Sequence, residues 1–208
     1  MTNAEIGLLR LVSQQIAGPH SVHPRDIVQH LGALQAQDYL GSLWAVGLRT
    51  CGAPELAIEQ ALADRLIVRT WPMRGTIHLI PAGDVRWMLD LLTPRVIQGS
   101  QGRLRQLGLD SQIITRSAEI VAQALVGGKQ LTRPELYAIL ETSGIQASSQ
   151  RGLHILGQLA HRQLICFGAR RGKQPTFTLL DEWISPVRPL PRDEALAMLA
   201  MRYFTGHG

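Results

Sequence analysis

Lysine is nearly missing from this chain: Lys129 and Lys173 are the only two, and the rest of its 21 basic residues are arginine. Point-charge contacts are therefore scarce, and the forked guanidinium dominates, which suits phosphate oxygens and base edges. Cysteine is equally sparse. Cys51 and Cys166 lie far apart with no Cys-x-x-Cys pair and no histidine at ligand spacing, which indicates neither a disulfide framework nor a zinc site. Both read as small buried hydrophobes in a reducing compartment. The histidines form no His-Glu-x-x-His and no i, i+4 pair, so no metal and no cofactor is expected. No run approaches the ~18 apolar residues of a membrane span, and Glu5 interrupts the N-terminal apolar stretch, unlike a signal peptide. A cytoplasmic protein without a membrane partner is expected. Gly-x-Ser-x-Gly is absent, and "GSQGRLRQLG" is neither a phosphate loop nor a dinucleotide fingerprint.

What is present reads as globular: 208 residues, 45% apolar and 18% charged. A net charge of +5 and a pI near 9.9 favour acidic partners such as nucleic acid. The apolar spacing of Ile6, Leu9 and Val12 predicts a helix over about 4–16, and Pro24 opens a second through Ile27 and Leu31. A third starts at Asp38 with Leu40, Leu43, Trp44 and Leu48 on one side, and a fourth runs from Pro54 through Leu56, Ala57, Ala61 and Leu62. Then "LIVRTWPMRGTIHLIP" alternates apolar with polar around Pro72 and Gly75, which predicts a hairpin. Thr93-Pro94 looks like an N-cap with proline at N1 of a following helix. The expected class is mostly α with short β-hairpins, arranged as tandem winged-helix units. Residues 1–95 form the first, 96–111 a glycine-rich connector and 112–184 the second, while 185–208 form a linker and the start of a third unit that is missing.

In the second unit, "LTRPEL" supplies a capping box with Thr132 and Glu135, and Ser148 or Ser149 opens a helix with Leu153, Leu156, Leu159 and Ala160 inward. Arg151, His154, Gln158 and His161 then share the opposite face, and the turn "ARRGKQ" adds Arg170, Arg171 and Lys173. These are either the groove-reading helix and phosphate-reaching wing of a DNA binder, or a solvated helix face and a polar turn.

The segment "LGALQAQDYLGSLWAVGLRT" sets Gln35 and Gln37 one residue apart before Asp38. In extended chain, residues i and i+2 point the same way. An amide is no general base, but it has one acceptor and two donors, so two amides can hold a water for attack, with Asp38 supplying the negative charge that an oxocarbenium-like centre prefers. Alternatively, Gln37 and Asp38 cap the helix that follows. In the hairpin, alternation puts Arg69 and Trp71 on one face, and Arg74, Thr76 and His78 on one face of the returning strand. That is either a concave polar surface or the wet side of an edge hairpin.

"LGALQAQDYLGSLWAVGLR" together with "VRTWPMRGTIHLIPAGDVRWML" resembles the winged-helix DNA-binding proteins to which the AlkZ and YcaQ DNA glycosylases belong, and the resemblance runs through "EALAMLAMRYFTGHG". It implies tandem winged helices around a basic channel and excision of alkylated or crosslinked purines from double-stranded DNA. The family motif is Gln-x-Gln in the AlkZ type and Gln-x-Asp in the YcaQ type, which places Gln35 and Gln37 as catalytic residues holding the water. With the hairpin, helix-face and wing readings above, Arg69, Arg74, His78, Arg151, His154, Arg170, Arg171 and Lys173 are then the expected DNA contacts. The alternative is a non-catalytic winged-helix DNA-binding protein or transcriptional regulator.

Overall fold

The structure, a computed structural model, describes residues 1–207. In chain order it has α1 (Asn3–Ser13), α2 (Pro24–Leu31), β1 (Leu34–Gln35), α3 (Tyr39–Gly47), α4 (Glu55–Ala63), β2 (Ile67–Met73) and β3 (Thr76–Pro81). Then follow α5 (Val85–Gln106), α6 (Ser111–Leu125), β4 (Leu131–Thr132), α7 (Arg133–Thr142), α8 (Gln150–His161), β5 (Ile165–Phe167), β6 (Thr176–Leu179), α9 (Leu180–Trp183) and α10 (Arg192–His207). One order, helix–strand–helix–helix–strand–strand, occurs twice: from α2 to β3 and from α6 to β6. Both sheets also have the same strand order, β1-β3-β2 and β4-β6-β5. This is a winged helix built twice from unlike sequence. Among the described residues, no helix is long and apolar enough to cross a membrane, and no three His, Cys, Asp or Glu residues are grouped to hold a metal ion.

The chain divides into two compact units. The first comprises residues 1–69, 76–87 and the chain from Arg188 onward; the second comprises 70–75 and 88–187. These limits differ from those expected from sequence, because residues 96–106 are not a connector. They continue α5, whose 22 residues include Pro94. Nor does Thr93 cap a new helix: its hydroxyl donates to the Leu89 carbonyl at 2.7 Å, inside α5. Each glycine costs such a helix about 1 kcal/mol, a local penalty that packing along its length overrides. Gly208, the last residue of the expected C-terminal segment, lies outside the described residues.

In the first unit, Pro24 occupies the first turn of α2 and Ile27 and Val28 are buried. They share the buried apolar core of this unit with Leu43, Ile58, Ile67 and Leu79. Helix α10 packs on α2 and α1. Its Gly206 lies so close to α2 that a Cβ there would sit 3.0 Å from the His30 carbonyl oxygen. Arg202 of α10 pairs with the buried Asp84 carboxylate, which also accepts the Trp87 indole N–H at 2.9 Å. Helix α1 closes its N-terminus with a Thr2–Glu5 capping box but buries no residue, so the Ile6–Leu9–Val12 stripe is not core. On α3 only Leu43 of the expected stripe is buried; Leu40 and Trp44 are 60% and 69% exposed beside a groove between α3 and α4. Cys51 is exposed and only Cys166 is buried, which corrects the reading of both as core.

In the second unit the expected capping box forms. The Thr132 backbone N–H, the Thr132 hydroxyl and the Arg171 guanidinium hold the Glu135 carboxyl down to about 2. Phe167 and Phe177 stack with Trp71 at centroid distances of 4.6 and 6.3 Å, so Trp71 is core of this unit rather than part of a polar surface. Helix α8 is turned from the expected phase. Leu153 is 45% exposed, whereas Gln158 and His161 are 2% and 7% exposed. Gln158 donates to the Ser100 hydroxyl of α5 at 2.9 Å, so part of the expected DNA-facing side is packed within the unit.

Candidate active site

Strand β1 is short, but it fixes the register of the amide motif: Leu34 faces Leu79 and Gln35 faces His78 on β3. The pairing continues one residue further, with the Ala36 N–H donating to the Ile77 carbonyl at 2.8 Å. At the next position the backbone departs and the side chain takes over, as Gln37 Oε1 accepts the Ile77 N–H at 3.2 Å. Both backbone groups of Ile77 therefore hold the motif. From β2, Arg69 sends Nη2 and Nε to the Ala36 carbonyl at 2.9 and 3.3 Å. Ala36 is fully buried, so this guanidinium satisfies a carbonyl that water does not reach. The same guanidinium lies 5.3 Å from the centroid of the Tyr39 ring, whose hydroxyl donates to Glu59 of α4 at 3.0 Å. The backbone of the motif is thus pinned from β2 and β3, while Gln35, Gln37 and Asp38 are exposed.

The second unit shows what an ordinary junction looks like at the same place in the repeat. There β4 ends at Thr132, which is itself the N-cap of α7 and closes the capping box with Glu135. In the first unit Ala36 and Gln37 intervene between β1 and the N-cap Asp38, whose side chain makes no capping bond. Its carboxylate lies against Gly41 instead, close enough that a Cβ at 41 would sit 2.5 Å from Oδ2. Neither capping role weighed from sequence is realised: Gln37 binds β3, and Asp38 leaves the α3 amides alone.

The basic residues singled out from sequence are dispersed. Arg69 and His78 are buried, at 9% and 4% exposure, which suits holding the motif better than reaching a phosphate. Arg74 is exposed at the hairpin turn, where it and Gly75 take φ of 52° and 69°, the left-handed pair of a type I′ turn. Arg151 is committed internally, to the carbonyls of Leu107, Gly108 and Gln146. Burial and then the Arg103 cation lower the pKa of His154 below the ordinary imidazole value. Arg170 donates to the Lys173 carbonyl at 2.7 Å, and Arg171 pairs with Glu135 at 2.7 Å, while the Lys173 side chain is exposed. Sequence reasoning missed the clamp that Arg69 and Ile77 form on Ala36 and Gln37. Its partners lie 33 and 40 residues apart, and no local pattern signals them.

The profile of the AlkZ-like DNA glycosylase family matches residues 28–208, which include this motif, the first repeat from Val28 onward and the whole of the second. The chain belongs to that family. Among AlkZ-like relatives, the interstrand DNA cross-link repair glycosylase of Streptomyces sahachiroi is 30% identical over 159 residues, covering 74% of this chain and 43% of the relative. The solved structure of Streptomyces sahachiroi DNA glycosylase AlkZ aligns with the whole chain at a TM-score of 0.79 and 25% identity, covering 58% of that protein. The chain thus spans about half the length of the AlkZ-like proteins it matches.

Proposed function

We propose that this chain carries the hydrolytic site of a cytoplasmic DNA glycosylase that cleaves the N-glycosidic bond of alkylated or crosslinked purines in double-stranded DNA. The observation that carries the proposal is the exposed pair Gln35 and Gln37 on a backbone locked by Ile77 and Arg69. A motif held by buried hydrogen bonds while its amides stay exposed is organised around something outside the fold. The chemistry is consistent with neutral amides. An N-alkylated purine is already cationic and leaves as a neutral base, so the site needs a positioned water and electrostatic support more than an acid.

Gln35 and Gln37 hold the water that attacks C1′. Arg74, Arg170, Arg171 and Lys173 contact the phosphates, His154 adds a contact from α8, and Arg69, His78 and Arg151 act mainly by holding backbone. The regulator alternative relies on α8 reading base edges, and it is weakened by the internal commitments of Arg151, Gln158 and His161. The test is release of 7-methylguanine from methylated duplex DNA by the wild-type chain and by Gln35→Ala and Gln37→Ala. Release by the wild type that either substitution largely abolishes supports the assignment. Release that survives in both variants removes it.

A further inference from the structure

Gln37 is half used before any substrate arrives. Its Oε1 accepts the Ile77 N–H, and because an N–H faces only an acceptor, the orientation of the amide is settled. With its oxygen turned toward Ile77, Gln37 presents its N–H donors outward. A water bound there accepts a hydrogen bond through one lone pair and attacks through the other, so both of its protons need acceptors elsewhere. Gln35 Oε1 provides one, and it is an exposed side chain with no hydrogen bond among the described residues. The motif needs a second.

Resting on the hydrolytic reading above, we infer that Asp38 is the proton acceptor of this site and the negative charge that faces the developing sugar cation. Three observations meet in it. It directly follows Gln37 at the exposed mouth of α3. Its side chain occupies the N-cap position yet makes no cap bond, so the fold does not use the carboxylate where it uses Thr132 in the second unit. The residue beneath it is Gly41, where any side chain would collide with the carboxylate as placed.

In the step, the water oxygen bonds to C1′ while the C1′–N9 bond breaks and its electron pair passes to the purine. That neutralises the cationic ring, and the water proton passes to Asp38 and then to solvent. The products are the neutral alkylpurine, an abasic sugar bearing a C1′ hydroxyl and one released proton. Removing such a base slows a hydrolysis by about 100-fold or more.

The experiment compares wild type, Asp38→Asn and Asp38→Glu in single-turnover release of 7-methylguanine. A parallel arm measures binding to duplexes bearing a cationic pyrrolidine or a neutral tetrahydrofuran abasic analogue. Asp38→Asn is expected to slow release about 100-fold. It should also lower the preference for the cationic analogue roughly tenfold, because a carboxylate beside a cation is lost. Asp38→Glu should restore part of both, and since no cap bond is removed, all three proteins should melt together. A folding defect would weaken binding to both analogues equally, so the ratio isolates the charge. Release by wild type that is undiminished in Asp38→Asn, or an unchanged analogue preference, overturns the inference and leaves the hydrolytic reading standing. No release by wild type overturns both.

Discussion

The two glutamines of the motif, alike in sequence, should separate cleanly in stability. Gln37 is a hydrogen-bond partner of the Ile77 backbone N–H, and Ile77 is 6% exposed. Replacing Gln37 by leucine keeps the bulk, removes the acceptor and covers the donor, so an amide is left without partner. Such an orphan costs about 1–3 kcal/mol, and the partly buried setting of this bond favours the lower half of that range. For a chain of this length about 1–2 kcal/mol corresponds to a fall in melting temperature of roughly 2–8 °C. Gln35→Leu should melt with the wild type, because its side chain makes no hydrogen bond among the described residues. Gln37→Glu keeps an acceptor for the Ile77 N–H and should recover most of the loss. Circular dichroism or calorimetric melts of the three variants read this directly, and base release measured alongside should fall for both leucine variants. Equal melting of Gln35→Leu and Gln37→Leu would refute the clamp and, with it, the orientation that turns the Gln37 N–H donors outward.

Other consequences are separable in the same way. Arg69→Met keeps the aliphatic stem and leaves the Ala36 carbonyl unpaired, so base release should drop about tenfold or more while affinity for duplex DNA changes little. A large loss of affinity instead would return Arg69 to the DNA contacts. Burial pushes the His161 imidazole to about 4 from its ordinary 6.5. The unfolded chain therefore binds the extra proton across that window, so the contribution of His161 to stability is fully present above pH 6.5 and falls by up to about 3 kcal/mol as the pH drops toward 4. His161→Leu should flatten that segment of a urea-denaturation profile against pH, and an unaltered slope would mean that other groups set it. Lys173→Ala should lower the slope of log affinity against log salt by about 1, with a smaller change for Arg171→Ala, whose cation is partly balanced by Glu135.

The legible parts of the fold are those whose signals are local. Pro24 at the start of α2, the Thr132–Glu135 box at the start of α7 and the two hairpins all rest on residues within a few positions of one another. The illegible parts are those where packing outvotes the local signal. Pro94, Gly99 and Gly102 read as breaks, yet α5 runs through them. Periodicity in α8 found a polar face opposite the leucines, but it could not tell that Gln158 is paired with Ser100, 58 residues away, and that Leu153 is left outside. The position of Gln35 and Gln37 between two helices was legible, and their surroundings were not. Arg69, Trp71 and His78 alternate as a polar strand face would, but each is buried.

The two repeats make the departure at the motif intelligible. Where the second unit turns from strand to helix, Thr132 and Glu135 satisfy each other and the site is closed to further bonding. The first unit meets the same topological demand with three additional residues between strand and helix, Ala36, Gln37 and Asp38, leaving an unused N-cap carboxylate and two amides at the surface. Stability forgone at the cap is offset elsewhere, because Arg69 and Ile77 hold the inserted Ala36 and Gln37 through four hydrogen bonds from neighbouring strands. A winged helix needs only one way of passing from its first strand to its second helix. That one copy caps this junction, while the other leaves it open and braces it from behind, is the physical ground of the proposal that Gln35, Gln37 and Asp38 carry the chemistry.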